Sequence, residues 1–188
     1  KPCPHATVIM LHGHLGSEDV MWVFSQTWPP DWLIVAPRAI VTEEDGRYSW
    51  HPRQQDEWPV LTEFDTAVAV LEQFIDKLPT LYGADPNRIY LMGFSQGAAA
   101  AFAMASHNPE MVKGIASLVG FMPRAVDEAV ETERLADIPV FMAVGTEDDR
   151  VPLEIARECG KAVRAAGAYL EYREHETGHK LNGAGMRK

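Results

Sequence analysis

A mostly parallel β-sheet with helices on both faces is the fold this sequence predicts, and three observations predict it. Short apolar runs alternate along the chain with stretches of helical periodicity, the pattern of an α/β domain. The first run, Ala6-Thr7-Val8-Ile9-Met10-Leu11, is continuously apolar, as a strand buried on both faces is. Near the middle, Arg88-Ile89-Tyr90-Leu91-Met92 passes through Gly93-Phe94-Ser95-Gln96-Gly97 straight into the helix-forming Ala98 to Ala105.

The elements follow in order. After the first strand comes His12-Gly13-His14-Leu15-Gly16-Ser17; Glu18 to Thr27 is expected to be helical until Pro29-Pro30 stops it. Trp32 to Ala36 reads as a second strand. Residues 38 to 59 read as a long irregular loop carrying Tyr48, Trp50 and Trp58, and loops of that length are usually functional. Leu61, Phe64, Val68, Leu71, Phe74, Ile75 and Leu78 recur at helical spacing, punctuated by Gly83 and Pro86. Beyond the central strand and helix, strands are expected at 114–119, 139–144 and 168–174, with helices at 126–135 and 153–166, the latter capped by Gly167. The last strand leads to a loop with His175 and His179.

Composition bounds the function. The 188 residues, 46% apolar and 23% charged, fit a single domain over residues 1–188 with a sizeable core. A net charge of −10 argues against nucleic acid and anionic membrane surfaces as partners. No apolar run approaches the roughly 18 residues of a membrane span, so integral membrane association is not expected. Cys3 and Cys159 read as free thiols of a reducing, cytoplasmic setting. The chain starts without a secretory signal, but at Lys1 instead of Met, which leaves room for a segment upstream.

Gly93-Phe94-Ser95-Gln96-Gly97 has the G-x-S-x-G form of a nucleophile elbow, and its strand–turn–helix setting is what that reading requires. A one-residue turn strains Ser95 and lifts its hydroxyl clear of the sheet, while close approach of helix and strand demands glycine at 93 and 97. The plainer alternative is a serine N-cap. Nucleophilic acyl transfer needs a base, an orienting carboxylate and two oxyanion donors at the carboxyl ends of strands. His179, free to reach after Gly178, is the expected base, with His175 as rival. Asp148 is the expected acid, with Glu147 and Asp149 as alternatives. The chain order Ser, Asp, His is one of three known triad orders. The oxyanion donors are expected to be the N–H groups of Gln96 and His14. His12 and His14 also offer a zinc-like pair, although no spacing names further ligands; His12 is expected to brace its loop and His14 to act through its backbone.

LHGHLGSED (11–19), APRA (36–39), YSW (48–50), DPNRIYLMGFSQGAAAAF (85–102), GFMP (120–123), GTEDDRVP (145–152) and GH (178–179) resemble the carboxylesterase/phospholipase family of α/β hydrolases, which includes acyl-protein thioesterases and small esterases. The resemblance implies the α/β-hydrolase fold and hydrolysis of carboxylic or thioester bonds. It selects Asp148, four residues before the proline of D-x-x-V-P, and His179 after its glycine. Leu15 stands where a glycine is common. Relative to the family, the hairpin before the first strand and part of the final helix are expected to be missing.

Leu15, Trp22, Tyr48, Trp50 and Phe121 are the expected substrate-binding residues. The lack of a large insertion predicts a minimal lid and short- to medium-chain small-molecule esters. The reaction needs no metal or organic cofactor, and the protein is expected as a monomer or homodimer. A non-catalytic ligand-binding protein on the same fold is the alternative from another class.

Overall fold

The computed structural model describes residues 4–52 and 58–180. Its strands are β1 (His5–Leu11), β2 (Leu33–Val35), β3 (Val41–Thr42), β4 (Tyr48–Ser49), β5 (Ala84–Phe94), β6 (Ile115–Leu118), β7 (Pro139–Gly145) and β8 (Tyr169–His175). The helices are α1 (Asp65–Tyr82), α2 (Gln96–His107), α3 (Asp127–Glu131) and α4 (Leu153–Ala165). Six strands form one parallel sheet in the order β2-β1-β5-β6-β7-β8, while β3 and β4 form a separate antiparallel pair.

Side-chain alternation along the strands divides the core between the two faces. Ile9, Leu11, Leu91, Ile115, Val140 and Met142 join the cluster that α1, α2 and α4 cover. Each large apolar side chain removed from water there contributes about 1.5–3 kcal/mol. The alanines of α2 allow it to lie against the sheet, and Gln96 to Ser106 are all buried. Val8, Met10, Met92, Leu118 and Ala143 face the other way and meet Met21 and Phe24. These two come from a 3-10 helix, Glu18–Thr27, whose threefold repeat carries Met21 and Phe24 onto one line.

The structure refines several boundaries. The segment expected to be helical from Glu18 to Thr27 is this 3-10 helix. Helix α3 stops at Glu131, where Thr132 Oγ1 donates to Glu128 O at 2.6 Å and Glu133 turns to φ 46°. The loop expected from 38 to 59 holds the β3–β4 pair, and its residues 53–57 lie outside the described residues. Cys159 is a buried free thiol; Cys3 lies outside the described residues. Among the described residues, no helix is long and apolar enough to cross a membrane.

Parallel pairing aligns the strand ends that matter. Leu11 of β1 lies beside Gly93 of β5, Phe94 beside Leu118 of β6, and Gly145 of β7 beside His175 of β8. The loops after β1, β5, β7 and β8 therefore leave one rim of the sheet, where open α/β sheets place their ligands.

Candidate active site

Ser95 joins β5 to α2 with φ 53° and ψ −118°, a conformation costing a non-glycine residue about 1–3 kcal/mol. Its surroundings hold it there. Ser95 N–H donates to Leu118 O and Ser95 O accepts from Ala98 N–H, both at 3.0 Å. A Cβ at Gly93 would overlap the Ala98 backbone, and one at Gly97 would overlap the carbonyl oxygens of Leu11 and His12. Both glycines are thus required by close approach, and α2 starts against the end of β1.

The loops after β7 and β8 are stitched together by Thr146 N–H to His175 O at 2.9 Å and Glu147 N–H to Thr177 O at 3.1 Å. That brings Asp148 and His179 into contact. His179 Nδ1 is 2.8 Å and 3.0 Å from the two carboxylate oxygens of Asp148, and its Nε2 is 2.9 Å from Ser95 Oγ. Asp148 Oδ1 also accepts the N–H groups of Arg150 at 2.9 Å and Val151 at 2.8 Å, which fixes the carboxylate in its turn. The Asp148 side chain is only 1% exposed. Phe94 meets the His179 ring edge-on at 5.5 Å. The rivals lie elsewhere: Glu147 and Asp149 are exposed, and His175 sits at the end of β8, its Nε2 buried without a hydrogen-bond partner.

The turn after β1 approaches the same serine. A Cβ on Gly13 would lie 3.4 Å from Ser95 Cβ. Gly16 N–H returns to Gly13 O at 3.1 Å, so His14 and Leu15 are the central residues of a β-turn. Leu15 has φ 54°, the left-handed value that a type II turn demands at its third position and that normally selects glycine. Leu15 N–H donates to Ser49 Oγ at 3.3 Å, and His14 Nδ1 lies 2.8 Å from the same oxygen. Tyr48 and Gly16 exchange backbone hydrogen bonds at 2.9 and 3.1 Å.

His12 anchors the root of this turn. Its Nε2 accepts Ala39 N–H at 3.1 Å, so the proton resides on Nδ1, which donates to Gly13 O at 2.8 Å. Burial pushes the His12 pKa down, with the Gly13 hydrogen bond opposing. Both ring nitrogens are committed to the protein, which removes His12 from the zinc alternative. Among the described residues, no group of three or more metal-ligating side chains gathers.

The expected pocket residues divide. Trp50 is corrected: at 1% exposure it is a buried brace, donating from Nε1 to His12 O and from its backbone N–H to Gln96 Oε1, each at 2.8 Å. Burying the indole between two elements of the site satisfies its polar edge and removes it from any open wall. Phe121 is also largely covered, its ring edge-on to Trp58 at 4.8 Å. Leu15 is exposed on the turn, and Trp22 is exposed on the 3-10 helix. Tyr48 is half-buried beneath the Arg38 guanidinium, which lies 4.6 Å from its ring centroid and donates to its hydroxyl at 3.2 Å. Arg38 also pairs with Glu18 and holds that carboxyl down at about 2. Sequence reasoning missed Ser49 and Phe94. Phe94 was signalled by its place inside the elbow, and Ser49 by its place in the YSW stretch, which marks the position without giving its role.

The phospholipase/carboxylesterase family matches the chain over residues 1–188. Acyl-protein thioesterase 1 of Schizosaccharomyces pombe is 30% identical over 172 residues, covering 83% of this chain and 74% of that protein. Acyl-protein thioesterase 1 of Emericella nidulans is 28% identical over 190 residues, covering 86% and 77%. Esterase PE8 superposes with a TM-score of 0.81 at 26% identity, covering 98% of this chain and 89% of its own. The Bacillus cereus carboxylesterase shares the fold at a TM-score of 0.84 and 22% identity, covering 97% and 84%. The chain belongs to the phospholipase/carboxylesterase family of α/β hydrolases.

Proposed function

We propose that this protein is a serine carboxylesterase acting on short- to medium-chain esters through an acyl-enzyme. One observation carries the reading: a single imidazole, His179, lies 2.9 Å from Ser95 Oγ on one side and 2.8 Å from Asp148 on the other. Its Nε2 takes the proton as Ser95 Oγ attacks the ester carbonyl. Asp148 holds the imidazole with its proton on Nδ1 and stabilises the imidazolium. The carbonyl's electron pair moves onto its oxygen, which the N–H groups of Gln96 and His14 receive. Gln96 begins α2, where N–H groups lack partners within the helix. The alcohol leaves with the proton from His179. Water, deprotonated by the same nitrogen, then attacks the acyl-enzyme and frees the acid. No step calls for a metal or organic cofactor.

Leu15, Tyr48 and Trp22 remain the proposed substrate contacts. A cytoplasmic setting is supported by the free thiol of Cys159, and a monomer or homodimer remains the proposed assembly. A second reading, hydrolysis of acyl thioesters by the same groups, is favoured by the relatives named acyl-protein thioesterase 1.

Ser95→Ala tests the proposal. It should lower kcat on p-nitrophenyl butyrate by roughly 10⁴–10⁶, by analogy with triad knockouts; near-normal turnover would refute it. A chain-length series of p-nitrophenyl esters beside matching thioesters separates the two readings.

A further inference from the structure

The turn that carries the proposed second oxyanion donor is not self-sufficient. Its third residue is Leu15 at φ 54°, a conformation that an L-residue with a Cβ resists. Leu15 is exposed, so core packing does not supply the restraint. The restraint is polar and comes from β4, more than thirty residues along the chain. Ser49 is fully buried, and its hydroxyl takes Leu15 N–H at 3.3 Å while lying 2.8 Å from His14 Nδ1. One oxygen therefore fixes both central residues of the turn. The paired backbone bonds of Tyr48 and Gly16 set its far end, and Gly13 sets its near end beside Ser95.

We propose that Ser49 is a positioning residue for catalysis. Its hydroxyl holds the His14 side chain and the His14–Leu15 peptide, and through them the turn whose preceding Gly13–His14 peptide presents His14 N–H to the developing oxyanion. The inference rests on the serine-hydrolase reading above. Ser49 touches neither substrate nor Ser95 in this scheme; it acts through the turn. A misaimed donor weakens the transition state more than the bound ester, because the oxyanion forms only there. The defect therefore falls on kcat. Glycine at position 15 enters the left-handed region without steric cost, so a turn with Leu15→Gly depends less on the Ser49 hydroxyl.

The test is a double-mutant cycle on p-nitrophenyl butyrate, with folding checked by thermal melts. Ser49→Ala should lower kcat about 30-fold, less than the roughly 10²–10³ lost when an oxyanion donor is removed outright because here the donor is only misaimed, with KM changed less than about twofold. In a Leu15→Gly background, Ser49→Ala should cost only about threefold, a coupling of about tenfold or 1.4 kcal/mol. If Ser49→Ala does not fold, Ser49→Cys replaces it. Its sulfur is larger than the hydroxyl oxygen but a weak hydrogen-bonding partner, and it should lower kcat about tenfold with the same coupling. An unchanged kcat, a change in KM alone, or an equal loss in both backgrounds overturns the proposal. Ser95→Ala, run alongside, separates the two levels. If it abolishes turnover while Ser49 variants are silent, only the positioning role fails. If Ser95→Ala keeps turnover, the serine-hydrolase reading itself fails.

Discussion

Ser95 and Leu15 adopt almost the same unfavourable positive φ, 53° and 54°, yet they are held by opposite means. Ser95 is locked by its own neighbourhood, with the strand before it, the helix after it, and glycines at 93 and 97 where a Cβ would overlap backbone. Leu15 is held from a distance, by a hydroxyl and a backbone bridge on β4. Local sterics make the first strain nearly impossible to relieve without unfolding the elbow. A pair of hydrogen bonds, each worth about 1 kcal/mol net, leaves the second turn more easily perturbed. A rigid nucleophile is thus combined with an adjustable oxyanion turn.

The acid–base side of this contrast gives the largest expected effect. Asp148→Asn should leave the fold intact and lower kcat by about 10⁴, because the amide favours the wrong imidazole tautomer; steady-state kinetics on p-nitrophenyl butyrate measure it. Gly97→Ala attacks the rigid turn directly by driving a methyl into the carbonyls of Leu11 and His12. It should cost about 3 kcal/mol and lower Tm by roughly 6–12 °C for a chain of this size. Trp50→Phe tests the bridge between the two turns. It removes the donor to buried His12 O, should cost about 1–3 kcal/mol, and is read by the same melts.

Acid should weaken the root of the oxyanion turn. Burial lowers the pKa of both His12 and His51 in the folded protein. The unfolded chain, with histidines near 6.5, binds protons first as pH falls. Stability from these two groups is therefore fully present above about pH 6.5 and is lost as pH drops from there toward their folded values. Urea unfolding between pH 8 and 5 should show a falling free energy, with a shallower slope in His51→Asn. The smallest expected effect is a gain. Leu15→Gly relieves about 1–2 kcal/mol of left-handed strain against about 0.5–1 kcal/mol of added chain entropy. The net should raise Tm by about 1–3 °C, while Leu15→Ala, which keeps the strain, should not.

The same contrast explains what could be read in the sequence. The elbow is a local object: an apolar run, two glycines, a serine and an alanine-rich helix specify it within twenty residues. The strands of the sheet were legible for the same reason, since buried parallel strands are continuous apolar runs. The chain order of Ser, Asp and His, together with loops leaving one rim, narrowed the candidates to a few groups, and the family resemblance singled out Asp148 and His179, which lie within hydrogen-bond distance of one another, His179 also of Ser95. The β3–β4 pair was not legible, because two-residue strands carry no periodicity. Neither was the part played by Ser49, which depends on a contact across thirty-four residues. From sequence, Trp50 reads as a pocket wall because it sits in a long loop. Its burial brings its N–H groups to partners on the turn after β1 and on α2, which no local pattern announces. Likewise, 18–27 carries helical composition, but nothing in it announces the 3-10 form, whose threefold repeat aligns Met21 with Phe24 over the sheet.

Active-site labelling tests the central claim most directly. The protein should react with one equivalent of a fluorophosphonate, and peptide mapping should place the adduct on Ser95, with labelling slowed at least a hundredfold in His179→Ala. A folded protein that stays unlabelled, or that carries the adduct on another residue at full stoichiometry, would contradict the account.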